Sequence, residues 1–286
     1  MTIWEQLFGF TFSQRALLAA GMIGFVNGYL GGYVVLKRSS LFAGGLTHTL
    51  FPGIALGAIL AGLNPVSALV GAVLMALLAG VGSTGIAAAS RVDRDTALAI
   101  LYTAAFGGGL LALERLGLYV NIENYLFGNI LGVSRLDLWF VYIAGGVTLG
   151  LLILFQRPLL LYVFSPDAAA SQGVPVRTMG YGLAILLVLN MVLSLQAVGT
   201  VLTLGLLIAP AAILYLFSNS VRLILWGGGL LGAAVAVGSV VLSVLRDVQT
   251  GPAIVVMLGI LFLLAFLCSP VYGLAAVIFK RSHMRS

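Results

Sequence analysis

The sequence predicts an all-α protein, a polytopic helical membrane protein with eight or nine transmembrane helices, on three observations. Hydrophobic residues fill 61% of its 286 positions and charged ones only 8%, with a mean hydropathy of +1.16, where a soluble domain carries roughly 25% charged residues. The apolar runs approach the roughly 20 residues a helix needs to cross a bilayer and lack the period-two alternation of a barrel strand. The basic residues stand singly or in pairs between those runs, so the net charge of +6 points to membrane lipid rather than to nucleic acid. No loop is long enough for a soluble domain, and residues 1–286 read as one transmembrane unit. Cys268 stands alone in an apolar run, which excludes a disulfide or a thiolate metal site within one chain. The N-terminus lacks a basic stretch ahead of its apolar part and does not read as a cleaved signal peptide.

Residues 1–13 suit a short interfacial helix with Trp4, Phe8 and Phe10 on its apolar side. Spans follow near 16–36, 42–63, 66–89, 96–114, 137–156, 179–198, 200–217, 223–245 and 253–279. The two that flank Gly199 read as two spans or as one broken element, hence eight or nine. With Lys37 and Arg38 placed in the cytoplasm, Arg91, Arg94, Arg157, Arg177, Arg222, Lys280, Arg281 and Arg285 also fall inside. Only Arg15, Arg115, Arg135 and Arg246 fall outside. That bias favours nine crossings with the C-terminus cytoplasmic.

The outer segment 117–137 mixes apolar residues with Asn and Gly and suits a short helix lying on, or dipping into, the outer surface. In the inner segment 157–177, Ser165 is placed to cap a helix that starts at Pro166, and Asp167 suits the positive end of its dipole. Gly173 marks its stop and Pro175 lies just beyond. This cytoplasmic helix of about two turns is too short to span. It reads as a docking surface or as an ordinary ordered loop. The mid-span glycines permit close helix packing and mark no site.

The stretch 39–57, SSLFAGGLTHTLFPGIALG, holds the one histidine inside apolar sequence, His48, followed by Pro52 and surrounded by small residues. An ionisable ring in that setting is expensive, so it is a candidate for function; the competing reading is a ring near the membrane surface bonded to a carbonyl. The eight acidic residues all fall at span ends or in loops. Asp247 and Glu123 are the better candidates for an outer mouth that attracts cations. Asn190 and Gln196 lie within a span, suited to helix-to-helix hydrogen bonding first and to pathway lining second. His283 sits in the basic tail and has no assigned role.

Three segments together resemble the membrane permease subunits of the bacterial ABC importers for zinc, manganese and iron. They are VVLKRSSLFAGGLTHTLFPGIALG (34–57), VFSPDAAASQGVPV (163–176) and SLQAVGTVLTLGLLIAPAAILYLF (194–217). Weaker matches are NYLFGNILGVS (124–134) and DVQTGPAIVV (247–256). The resemblance implies a permease in the bacterial plasma (inner) membrane that imports a divalent metal ion. It implies a second permease copy or paralogue, a cytoplasmic ATP-binding-cassette ATPase dimer and an extracytoplasmic metal-binding protein as partners. It carries His48 over as a metal contact, and Phe164, Pro166, Asp167 and Gly173, in a coupling segment at 164–176, as docking positions for the ATPase. Two positions depart from the family pattern: Ser165 stands where an acidic residue is usual, and Gly44 where an aspartate is usual. An aspartate there would share a helix face with His48. Without it, a lone imidazole binds weakly, and manganese, which suits oxygen ligands, is disfavoured.

The chain has no GxxxxGKS/T loop, so it is not itself the ATPase. The expected mechanism is alternating access driven by separate ATPase subunits, with the element around Gly199 and Pro210 as the moving part, since Gly and Pro let a helix break where it lines a cavity. A gradient-driven secondary cation transporter or channel is the competing class, disfavoured by the lack of midplane carboxylates. A non-transporting structural subunit of a membrane enzyme is a third.

Overall fold

The computed structural model describes residues 10–62, 64–115, 128 and 130–270, and every regular element among them is helical. In chain order these are α1 (Thr11–Leu36), α2 (Ser40–Ala61), α3 (Pro65–Ala89) and α4 (Arg94–Arg115). After a 3-10 turn at Ile130–Gly132 come α5 (Arg135–Leu154), α6 (Gln156–Phe164) and α7 (Pro166–Ser171). The last are α8 (Val176–Val198), α9 (Thr200–Phe217), α10 (Gly228–Arg246) and α11 (Thr250–Cys268). Seven helices among the described residues are long and apolar enough to cross a membrane. The two shorter apolar stretches, Val176–Val192 and Leu202–Phe217, lie on either side of Gly199. The chain is thus a multi-pass helical membrane protein.

Several details differ from the sequence expectation. The last span, expected over 253–279, ends as a helix at Cys268, ahead of Pro270, and residues 271–279 lie outside the described residues. The first span, expected from 16, begins at Thr11 with exposed Phe10 as its N-cap; the rest of the interfacial helix expected within 1–13, with Trp4 and Phe8, lies outside the described residues. The span expected to end at 156 breaks at Phe155 and resumes as α6. Pro158 supplies the reason: it has no N–H for the Leu154 carbonyl, and its ring crowds that turn. The span near 223–245 opens with a π-helical turn, Leu223–Gly227, that runs into α10.

Local chemistry explains several helix starts. Asn64 accepts from the Ser67 N–H (2.8 Å) and heads α3, with Pro65 in the first turn. Ser134 and Asp137 form a reciprocal capping box on α5, where the Asp137 carboxylate accepts from the Ser134 N–H at 3.0 Å. Asp93 accepts from the Thr96 N–H at 2.9 Å at the head of α4. The acidic side chains at 93 and 137 therefore serve helix ends. Gly62 and Gly199 have nearly the same conformation (φ 79 and 82, ψ 167 for both) and form the corners α2–α3 and α8–α9. A positive φ of this kind strains any residue with a Cβ.

The bundle is built around α1, which packs on α10, α9 and α5. Its most extensive contact is with α10, and at Gly31 its backbone also comes against the Leu207 carbonyl of α9. Added Cβ atoms on Gly24 and Gly28 would collide with the carbonyl oxygens of Gly232 and Gly228. In lipid, helices associate by such backbone proximity rather than by hydrophobic expulsion from water. A second group, α2 with α3 and α4, packs as closely, since a Cβ on Gly53 would fall 2.6 Å from the Cα of Ala72. One buried core joins Tyr29, Tyr33, Phe42, Leu46, Leu98 and Leu187, and another joins Ala16, Ile23, Val141, Leu206, Val240 and Leu258. Replacing Gly28 by alanine is therefore expected to destabilise the detergent-solubilised protein by about 1–3 kcal/mol, as overpacking does. Gly146→Ala, with nothing within 4 Å of its added Cβ, should change stability by less than about 0.5 kcal/mol. Thermal unfolding of the two variants beside the parent checks this, and equal melting temperatures would contradict the packing account.

Candidate functional site

His48 lies on α2 with its imidazole exposed in the single chain, on a helix whose other flanks are mostly buried. Its ring sits beside Tyr102 of α4, with centroids 5.5 Å apart and planes inclined by 33°. Gly44, one turn earlier on the same face, is open enough to accept a side chain: the nearest atom to an added Cβ is Leu204 Cδ2 of α9 at 3.9 Å. The neighbouring hydroxyls turn away from the ring and bond to their own helix. Thr47 donates to the Gly44 carbonyl and Thr49 to the Leu46 carbonyl, each at 2.7 Å. Pro52 lies inside α2 and has no N–H to donate to the carbonyl four residues back, which is that of His48. One imidazole and one carbonyl without its usual helical donor are thus placed together. Among the described residues no three of His, Cys, Asp and Glu gather closely enough to hold a metal. The arrangement suits a weak, passing contact more than a resident metal centre.

The remaining sequence candidates are dispersed. Asn190 is buried in α8 and donates to Asn27 Oδ1 of α1 at 2.9 Å, and Asn27 donates to Ser194 Oγ at 2.9 Å. This polar knot ties α1 to α8 inside the bundle. Gln196 lies in α8, but its side chain is outside the described residues, as are Glu123 and His283. Asp247 is exposed in the left-handed conformation (φ 52) at the turn between α10 and α11. Gly199 is buried at the α8–α9 corner, its carbonyl accepting from Thr203 Oγ1 at 2.7 Å, and Pro210 is buried within α9.

The segment 164–176 folds as its residues suggest. Ser165 Oγ accepts from the Ala168 N–H (3.3 Å), Pro166 opens α7, and Gly173 (φ 78) turns the chain out. Phe164, Pro166, Asp167 and Gly173 are all exposed. Ahead of α7 is a feature the sequence did not suggest. Tyr162 on α6 is buried, its hydroxyl accepts from the Lys37 ammonium, and that ammonium lies 3.7 Å from its ring centroid. The Arg94 guanidinium stacks 3.3 Å over the Phe42 ring. Burial, with the Arg94 charge nearby, lowers the Lys37 amine to about 7. Its basic pairing with Arg38 read only as a topology mark, and nothing in the spacing of 37, 42, 94 and 162 announces that they meet.

Comparison with known proteins covers nearly the whole of this arrangement. The model of the ABC 3 transport family matches residues 9–269. The manganese transport system membrane protein MntC of Halalkalibacterium halodurans is 36% identical over 271 residues, covering 94% of this chain and 91% of that protein. The chelated iron transport system membrane protein YfeD of Yersinia pestis is 34% identical over 260 residues, covering 91% of this chain and 86% of that protein. The fold is similar to PsaBC from Streptococcus pneumoniae, solved in complex with Fab, with a TM-score of 0.81, 31% identity, and coverage of 94% of this chain and 96% of that one. The helical bundle and the extent of these matches agree: the chain belongs to the ABC 3 transport family.

Proposed function

We propose that this chain is the membrane-spanning permease of an ATP-driven importer of divalent transition-metal ions, with manganese or iron as cargo. The observation that carries the reading is the likeness, over 94% of the chain at 36% identity, to a protein named for manganese transport. The name of the relative from Yersinia pestis adds iron. Gly44 argues against a tight manganese site in this chain but not against passage of the ion, since a transit contact has to release what it binds.

In this reading two permeases pair around a pathway, and exposed His48 faces it. The exposed residues of the arm, Phe164, Pro166, Asp167 and Gly173, receive a cytoplasmic ATPase, and a metal-binding protein delivers the ion from outside. The C-terminus lies in the cytoplasm. ATP hydrolysis by the partner would switch the cavity from outward- to inward-facing, with the glycine corner at 199 and the proline at 210 as the points of bending. The imidazole, as a neutral ligand, lends one nitrogen to the ion, and the His48 carbonyl beside it offers an oxygen.

The test is uptake of radioactive manganese and iron by vesicles that hold the permease with its ATPase and binding protein. His48→Ala should lower uptake at least about tenfold, the usual scale for loss of a metal contact, with assembly unchanged. Transport at the parental rate would remove His48 from the path. A second variant asks about the empty position. Gly44→Asp fits the space seen beside Leu204 and should tighten manganese binding by a factor on the order of ten, because it adds a charged oxygen ligand. The readout is the concentration of manganese that half-saturates uptake, and an unchanged value would show that residue 44 does not face the ion.

A further inference from the structure

The buried face of α6 consists of Leu159, Tyr162 and Val163, of which Tyr162 alone is polar. Tyr162 meets two other elements. Its hydroxyl accepts from Lys37, just past the end of α1, and a Cβ on Gly180 of α8 would fall 2.9 Å from that same oxygen. The Arg94 charge of α4 is near enough to act on Tyr162. Arg94 in turn lies flat on Phe42, in the first turn of α2. Its Nε and Nη2 are buried and have no hydrogen-bond partner among the described residues. Lys37 and Arg94 thus lie near enough for each charge to act on the other, and Arg94 leaves donors unused. Such an arrangement is costly as a permanent packing device, because buried donors are normally satisfied. It makes sense as one of two states of a switch, in which the idle donors find their acceptor in the other state.

We propose that Tyr162, Lys37 and Arg94 are positioning residues that carry movement of the cytoplasmic arm into α2, by passing the Tyr162 hydroxyl between the two cations. This rests on the reading of the chain as an ATPase-coupled permease. In the present state Lys37 holds the hydroxyl and Arg94 stays on Phe42. When the arm shifts, Tyr162 leaves Lys37 and accepts from the idle nitrogens of Arg94, which draws the guanidinium off Phe42. Phe42 begins α2, and His48 follows six residues later, about 9 Å along the helix. The coupling path therefore runs from α6, through one hydroxyl and one guanidinium, to the helix that carries the candidate metal contact.

The experiment uses the full permease reconstituted with its ATPase and binding protein in vesicles, and measures manganese uptake and ATP hydrolysis in the same preparation. Tyr162→Phe keeps the ring, its packing and the cation above it, and removes only the exchanged hydroxyl. It should hydrolyse ATP within about twofold of the parent while moving about tenfold less metal per ATP, a change within the range that coupling residues give. Lys37→Met should do the same, and Lys37→Arg, which can still donate to the hydroxyl, should restore the ratio. Parental stoichiometry in Tyr162→Phe overturns the proposal. So does an equal fall of uptake and hydrolysis with loss of the assembled complex, which marks a purely structural contact. A parent complex with no ATP-driven uptake at all overturns instead the functional reading beneath it, so the two failures are told apart.

Discussion

Backbone contact between α1 and α10 is the constraint on which the rest of the molecule depends. Gly24 and Gly28 face Gly232 and Gly228 so closely that no Cβ fits between the helices. Lipid tails are as apolar as leucine, so burying leucine against leucine in a bilayer provides little drive for association. Close backbone approach provides it instead, through dispersion over a long seam. Once α1 is fixed on α10, its remaining faces receive α9 and α5, and Asn27 is brought to Asn190 and Ser194. The end of α1 is thereby a fixed point, and Lys37 is presented there to α6.

The same constraint explains which parts of the fold could be read from the sequence. Apolar run length and sparse charge set the helices, and turn chemistry set the start of α7, because Ser165, Pro166 and Gly173 act on the residues next to them. The break at Gly199 was legible for the same reason. The end of α5 near Phe155 was legible to within two residues, but the helix that follows it over Gln156–Phe164 was not, because Gln156, Arg157 and Pro158 read as the start of a connecting segment. The contacts of Arg94 with Phe42 and of Lys37 with Tyr162 were beyond reach. They join residues far apart in the chain, and a basic residue beside a span reads as a topology mark whether it meets lipid headgroups or an aromatic ring. Acidic residues were legible as ends of helices but not as caps, which depend on the rotamers of Asp93 and Asp137.

At the candidate site, the ring and the missing carboxylate were legible in the residues themselves, while the space around them comes from the fold. The opening beside Gly44 is bounded by Leu204 of α9, so the empty position looks toward the helix that carries Pro210 and follows the Gly199 corner. Any rearrangement of α9 therefore alters the surroundings of Gly44 and His48 directly. A site closed on three sides by rigid ligands would resist that change. A single imidazole with a proline-freed carbonyl does not, and weak coordination is then a property that goes with a movable wall.

The two ends of this account meet on α2. Its first turn carries Phe42 under the Arg94 guanidinium, its middle carries Gly44 and His48, and Pro52 interrupts its hydrogen bonding just beyond. A helix with an intact ladder transmits a push along its axis, and one interrupted by proline bends at the interruption instead. Displacement of the first turn would thus move His48 with it, because the turns between residues 42 and 48 are unbroken, and would be absorbed past Pro52, where α2 lies closely against α3 at Gly53. The tight α2–α3 seam keeps the far end of α2 still. The polar, unsatisfied cluster at the near end leaves that end free to shift. This asymmetry, close glycine packing at one end and unfulfilled donors at the other, suits α2 to the part proposed for it, carrying a contact that is offered on one side of the membrane and withdrawn on the other.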